Sequence, residues 1–464
     1  MEFQKQCERE TCRVIVFNRH GNDVLLKFTE AGFVFPCVEI PRWERLAENL
    51  TAALKKDFGC DAVCLFTPNN SSHEDNTSRH RYEVMECWRD QHGRGTDWKP
   101  VHSLSGDSFE DKAEFRILTE CLHELDRYGH DPSSPFAQRG RLTSVRGWAA
   151  EAIRPLGLEL GPSFLQYNAS PFFSLIRFET NGPAVWFKAV GEPNLREFPI
   201  TLKLAELFPR FIAEIIASNG DWNAWLSREV NGANLGEAND LALWKNAATG
   251  LAELQIDSIS RVDSIIKSGA HDLKTNTLLD LVDPFFEVAA LLMEEQPRVP
   301  PPTLSRQELS LLKLRIRDSL TLLEEFGISN TLGHLDLNPW NVVVSADGCV
   351  FLDWAEAYVG HPFFSLEYLL QHFRRKLGTD DVIESELVNA YRAPWRQLLS
   401  DDLTREAFAL APLGAVFAYV AGSGGWRDSE KLLDPKFAAY FCGTARRMNR
   451  EATKFIDRRP PCLS

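Results

Sequence analysis

Two apolar runs, within residues 12–17 and 24–28, flank His20-Gly21-Asn22-Asp23, and this arrangement predicts an antiparallel hairpin. Leu46, Leu50, Ala53, Leu54 and Phe58 then recur on one helical face, and Gly59 stands where a helix should stop. Strands are expected at 62–68 and 81–88, with a polar loop at 69–80 between them, and a helix over 109–129. The first segment therefore reads as α+β. The stretch 130–141, HDPSSPFAQRGR, is rich in Pro, Ser and Gly and reads as a linker. A helix at 144–157 follows, then strands at 163–168, 172–190, 210–218 and 222–230, with a helical pattern at 194–209 despite Pro199. From about residue 237 the pattern is helical, and only one segment, at 342–352, breaks it. PRVPPPTLS, residues 297–305, marks a loop.

That break lies in GHLDLNPWNVVVSADGCVFLDWAE, residues 333–356. Val342-Val343-Val344 and Val350-Phe351-Leu352 flank a turn signal at Ala346-Asp347-Gly348, which predicts a hairpin with Asn341 and Asp353 at one end. Asp336 lies on the loop just before. Two carboxylates and a carboxamide oxygen are hard ligands of the kind Mg²⁺ prefers.

Composition narrows the function classes. At 464 residues, about three domains of ordinary size fit. With 44% hydrophobic and 25% charged residues, large cores are possible and disorder should not dominate. A net charge of −14 argues against a nucleic-acid partner, although an acidic surface also serves solubility. The N-terminal sequence shows no secretory pattern and no run of about eighteen apolar residues occurs, so no membrane partner is expected. Ten cysteines without a C-x-x-C pair suit reduced thiols in a cytoplasmic protein. The close pairs Cys60/Cys64 and Cys7/Cys12 read as structural or incidental. The sequence sets no oligomeric state.

The residues FPCVEIPRWERLAENLTAALKKDFGC, 35–60, resemble the Nudix box G-x5-E-x7-R-E-U-x-E-E-x-G-U in length and frame. Glu44, Leu54 and Gly59 fall on pattern positions and Asp57 stands in for a Glu. Val38 replaces the first Gly, Ala52 and Ala53 the Arg-Glu pair, and Lys56 a metal-binding Glu. An ammonium in place of a carboxylate repels a divalent ion. The resemblance implies a Nudix-like α/β/α domain over 1–138 without hydrolase activity.

In the second half, His334, Asp336, Leu337 and Asn341 fill the kinase catalytic-loop spacing H-x-D-L-x-x-x-N, and Asp353 stands where a kinase places its metal-binding Asp. AVWFK places Lys188 at a strand end, and Glu197 follows nine residues later at a helix start. Residues 142–455 resemble the aminoglycoside phosphotransferase and choline kinase-like superfamily, with GLAELQ (250–255) and HPFFSLEYLL (361–370) as further points of likeness. Leu335, Asn338 and His361 depart from its usual Gly, His and Asp, and QYNASPFF lacks phosphate-loop glycines.

The resemblance implies a protein kinase-like bilobal fold, with a small β-rich lobe at 142–236 and a helical lobe at 237–464. It implies transfer of the γ-phosphoryl group of ATP or GTP, with Mg²⁺, to a hydroxyl of a small molecule. Asp336 would orient the acceptor hydroxyl and accept its proton. Asn341 and Asp353 would hold metal. Lys188 would reach phosphates, with Glu197 fixing it and Glu206 as the fallback partner. Backbone around Ser227, Glu229 and Val230 would receive adenine. His334 is expected to bond backbone, Trp340 and Trp354 to pack, and Glu356 either to assist the metal or to stand exposed. Asp380, Asp381 and Glu384 would favour a cationic acceptor or serve a helix start. A catalytically silent nucleotide-binding sensor is the alternative: the altered loop and decayed box support it, and the presence of Lys188, Asp336, Asn341 and Asp353 together speaks against it.

Overall fold

The computed structural model describes residues 9–41, 45–69, 74–75, 78–79, 81–88, 95–296, 302–345 and 348–458. Glu44, the Ala346-Asp347 turn, most of the 69–80 loop and residues 297–301 lie outside these. The fold is mixed α+β. It divides into two compact units, one of residues 1–198 and 214–229 and one of residues 199–213 and 230–464.

The first unit opens with β1 (Arg9–Phe17), β2 (Asp23–Thr29), β3 (Gly32–Val34), β4 (Cys37–Pro41), α1 (Leu46–Phe58) and β5 (Ala62–Phe66). Then come the two-residue β6 (Glu74–Asp75) and β7 (Ser78–Arg79), β8 (Arg81–Cys87), β9 (Thr96–Pro100), α2 (Lys112–Gly129) and α3 (Arg141–Ile153). Seven strands form one sheet in the order β3-β2-β1-β8-β5, with β4 also on β1 and β9 on β2. β1 runs parallel to β8, with Ile15 opposite Val84, and antiparallel to the others it meets. Gly59 ends α1 in the left-handed conformation (φ 70°) that its lack of a Cβ permits. Asp111 caps α2 by accepting from the Ala113 N–H.

A second sheet follows, of β10 (Leu160–Ser170), β11 (Phe173–Thr180), β12 (Val185–Ala189), β13 (Ile215–Asn219) and β14 (Ala224–Arg228), with α4 (Glu197–Leu207) after β12. Its order is β10-β11-β12-β14-β13, antiparallel throughout.

The stretch 130–141, expected as a linker, is packed. Phe136 and Ala137 are buried in an apolar cluster that runs from Ile15, Phe17 and Leu118 to Phe178, Phe187 and Leu226, and so joins both sheets. The Gly140 N–H donates to Glu86 (2.8 Å), Arg139 to the Gly21 carbonyl (2.8 Å), and the Phe136 N–H to the Pro171 carbonyl (3.1 Å). Gln166 of β10 reinforces the union. Its amide oxygen accepts from the Cys64 N–H (2.8 Å) and its amide nitrogen donates to the Cys64 carbonyl (3.1 Å), so one side chain imitates a strand partner. The break expected at 138–142 therefore falls inside a continuous core.

The second unit is built on β15 (Ala233–Asn234), α5 (Leu241–Ser258), α6 (Val262–Lys267), β16 (His271–Leu273), α7 (Thr275–Glu295), α8 (Arg306–Glu325) and β17 (Thr331–His334). It continues with β18 (Val342–Ser345), β19 (Gly348–Phe351), β20 (Ala357–Gly360), α9 (Phe363–Leu377), α10 (Asp381–Trp395), α11 (Asp401–Gly422), α12 (Ser429–Leu432) and α13 (Pro435–Arg458). The predicted hairpin is β18–β19, with Val342 opposite Phe351. It is not the only β structure here: β16 and β17 flank β20 in a three-stranded sheet the sequence reading lacks. α11 alone among the described helices is long and apolar enough to cross a membrane, a feature the sequence reading did not expect. Its Ala407, Leu410, Leu413 and Phe417 are buried in the apolar core of this unit.

Candidate functional site

In the first unit, β12 carries Lys188 between Leu175 of β11 and Trp225 of β14. A short turn then starts α4, where the Glu197 N–H donates to the Asn194 carbonyl (2.9 Å). Lys188 Nζ lies 2.5 Å from Glu197 Oε1, with 13% of the lysine side chain and 2% of the glutamate side chain exposed. The ammonium also stands 5.8 Å from the Phe173 ring centroid and 5.7 Å from that of Trp225. Glu206, the fallback partner, pairs with Lys203 one turn before it (2.9 Å).

Ser227 is buried on β14, opposite Trp186 and Ile215. Glu229 is already committed. Its carboxylate takes Arg177 Nε (2.6 Å) and Nη2 (2.9 Å), and its N–H donates to the Ala184 carbonyl (3.0 Å). The Arg177 hydrogen bond holds the Glu229 carboxyl below the usual range. Its side chain and N–H are thus spent within the sheet. Val230 follows it, half-buried, at the start of the second unit.

In the second unit, β17 and β20 fix the loop that begins at His334. Gly333 lies so close to the Tyr358 ring that a Cβ would sit 2.1 Å from its Cζ, so only glycine fits there. The Tyr358 hydroxyl and the His334 N–H both meet Ser365 Oγ of α9, at 2.9 and 3.0 Å. His334 is buried and donates Nε2–H to the Leu352 carbonyl (3.1 Å), as expected, while its ring lies 4.9 Å from that of buried Trp354. Burial pushes its pKa down, against the raising effects of the Leu352 carbonyl, Asp353, Asp336 and Glu356. Its imidazole is therefore neutral at pH 7.

The loop turns tightly after Asp336. The Asn338 N–H donates to the Asp336 carbonyl (2.7 Å) and the Asn341 N–H to the Asn338 carbonyl (2.9 Å). Asn341 Nδ2 reaches back to the Asp336 carbonyl (3.1 Å) and carboxylate (3.4 Å). Loss of water around its carboxyl raises the Asp336 pKa; His334 lowers it, the Asp353 and Glu356 charges raise it, and the Asn341 amide lowers it. The Leu352 N–H donates to the Asn341 carbonyl (2.8 Å), tying the two ends of the hairpin as predicted. Asp353 itself is left-handed (φ 63°, ψ 65°), a conformation that Asp tolerates better than bulkier residues. Leu335, where the family pattern has Gly, is buried against Gly422 of α11.

Glu356 is not simply exposed: Oε2 lies 3.7 Å from His271 Nε2 of β16. His271 and Ser365 escaped the sequence reading: His271 stands in no motif and arrives through the unforeseen sheet, while Ser365 lies in the HPFFSLEYLL stretch but drew no role there. Trp340 is half exposed and covers Gly236, so it packs as expected. Asp380 caps α10 by accepting from the Val382 and Ile383 N–H groups, and Glu384 forms a fork with Arg374, so these acids serve the helix. Among the described residues, no group of three or more His, Cys, Asp or Glu side chains is placed to hold a metal by itself.

Residues 225–398 match the APH phosphotransferase enzyme family. This segment contains the whole His334–Glu356 motif. Solved structures similar to the chain include macrolide 2'-phosphotransferase MphH from Brachybacterium faecium, at 15% identity and a TM-score of 0.44 over 65% of this chain and 98% of that one. Choline kinase LicA from Streptococcus pneumoniae is similar at 12% identity and TM-score 0.43, over 66% and 99% of the two chains. Choline kinase from Cryptosporidium parvum gives 12% identity and TM-score 0.47, over 68% and 96%. No curated protein is detectably similar in sequence.

Proposed function

We propose that the chain is an ATP-dependent phosphotransferase that moves the γ-phosphoryl group to a hydroxyl of a small molecule in the cytoplasm. The observation that carries this reading is the way Asn341 folds back on Asp336. It orients a carboxylate without taking it out of action, as acceptance of a hydroxyl proton requires. The family match over 225–398 supports the same chemistry.

The residues present fit a magnesium nucleotide. Mg²⁺ needs few protein ligands because it keeps waters and phosphate oxygens, so two side chains suffice. Asn341 spends its Nδ2 on Asp336, which leaves its amide oxygen for a cation, and Asp353 supplies a carboxylate at the turn after β19. A bound Mg·ATP or Mg·GTP supplies the electrophilic phosphoryl group and neutralises its charge. Asp336 aligns the acceptor hydroxyl and takes its proton. Lys188, held by Glu197, would bind phosphate oxygens; the main chain at Ser227, Glu229 and Val230 would receive the base, at Glu229 through its carbonyl, since its N–H is spent on Ala184. His334 and Ser365 fix the start of the loop.

The N-terminal sheet with α1 reads as Nudix-like and without hydrolase activity. The β4-loop-α1 order and the Gly59 stop support the likeness, while exposed Lys56 and Asp57 and the absence of acids at 52 and 53 argue against metal-dependent turnover.

The test is a screen of hydroxyl acceptors with the full chain, ATP or GTP and Mg²⁺, scored by the mass gained on phosphorylation. Nucleotide binding by calorimetry without phosphorylation of any acceptor would transfer support to the sensor reading.

A further inference from the structure

Away from the residues assigned to phosphotransfer, and independent of that reading, the second unit holds a cavity of about 260 Å³ walled by α9, α10 and α11. This lies just under the usual range of small-molecule sites. Phe363, Leu370 and Phe408 give it an apolar wall, and its charged lining is Arg374, Arg392 and Arg405 with Glu367 and Glu384.

The three guanidiniums are satisfied to different extents. Arg374 is filled: Nε and Nη2 grip Glu384 at 2.7 and 2.6 Å, and Nη1 reaches Glu367 at 3.1 Å. Arg405 donates to Asp402, an exposed neighbour one turn before it, and such pairs add little. Arg392 is half filled. Its Nη2 holds Asp401 Oδ1 (2.8 Å), a carboxylate that Arg396 also reaches (3.5 Å), but its Nε is buried with no acceptor. Nε and Nη2 form the side-on fork of a guanidinium, which matches the two oxygens of a carboxylate. Buried donors are rarely left without a partner.

We propose that this cavity is a binding site for a small amphiphilic carboxylate, its apolar body against Phe363, Leu370 and Phe408 and its two oxygens on the Nε and Nη2 of Arg392. The ligand carboxylate takes the place of Asp401 on Nη2 and supplies the acceptor Nε lacks. A cation of the same size finds three guanidiniums and two carboxylates, Glu367 and Glu384, that Arg374 already holds, and a neutral body leaves Nε unpaired.

The probes are octanoate, its uncharged methyl ester and octylamine, titrated by calorimetry into the full chain. Octanoate should saturate one site, with the ester and the amine at least tenfold weaker. Arg392→Gln should weaken octanoate tenfold or more, and Asp401→Asn, which removes the competitor for Nη2, should tighten it severalfold. The opposite signs of these two changes separate fork recognition from general adsorption to apolar surface. Equal binding of ester and acid, absence of saturation, or an unchanged affinity in Asp401→Asn would overturn the proposal. The last variant keeps the arginine and so decides the matter even if Arg392→Gln fails to fold.

Discussion

Lys188→Met leaves Glu197 buried, with 2% of its side chain exposed, and without the ammonium now 2.5 Å away. Removing one partner of a buried ion pair costs on the order of 3–5 kcal/mol. Glu197→Gln is the gentler change. The ammonium is more exposed and still faces the Phe173 and Trp225 rings at 5.8 and 5.7 Å, so roughly 1–3 kcal/mol is expected. The double variant Lys188→Met/Glu197→Gln removes both charges and should fall within about 1–2 kcal/mol of wild type, well short of the sum. Urea unfolding of the full chain measures all four corners of the cycle, and Mg·ATP titration runs beside it. The double variant should then be stable yet impaired in nucleotide binding, which separates the structural role of the pair from its functional one. A Lys188→Met cost under about 1 kcal/mol, or strict additivity, would refute the reasoning.

Three further outcomes are expected. Asp353→Asn should lower both Mg·ATP affinity and turnover, whereas Asp336→Asn should leave affinity nearly intact and depress turnover by about a hundredfold or more; calorimetry and acceptor-dependent ATP consumption distinguish them. Because its surroundings raise the Asp336 pKa, stability falls as pH rises through the folded-state value, so Asp336→Asn should also raise the unfolding midpoint at neutral pH. Burial holds the imidazole of His361 down to about 3, so the fold loses stability as pH drops below about 6.5, where the unfolded chain binds the proton, by about 1.4 kcal/mol per pH unit for this group. His361→Asn, which keeps an acceptor for the Phe363 N–H, should reduce that slope between pH 7.5 and 5.5, and an unchanged slope would count against the assignment. Gln166→Ala strips partners from the Cys64 N–H and carbonyl and should cost roughly 2–4 kcal/mol in urea, because two buried polar groups are left unpaired.

The parts of the molecule that were legible are those with local causes. The β18–β19 hairpin follows from two valine-rich runs around a turn, and the Lys188–Glu197 pair from a strand end and a helix start nine residues apart. The sheet of β16, β20 and β17 was not legible. Its strands are three or four residues long, and β17 and β20 are buried along their whole length, so no alternation marks them. The packing of 130–141 was hidden for another reason. Its Pro, Ser and Gly suit a loop, and a loop it is, but Phe136 and Ala137 anchor it to partners remote in sequence. Likewise nothing local links Arg177 to Glu229, which the β11–β12–β14 order brings together across fifty-two positions.

Gln166 has a consequence beyond stability. β5 is the outer strand of its sheet, and its residues Ala62 to Phe66 are all buried and apolar. Such a strand, with N–H and carbonyl groups facing outward, is a template on which another chain can add. By occupying both groups of Cys64, the glutamine amide closes that template with a side chain that cannot propagate a ladder. The strand that carries it, β10, therefore shields the first sheet from edge-to-edge aggregation, and any shortened form of this chain that keeps β5 but loses β10 inherits an open edge.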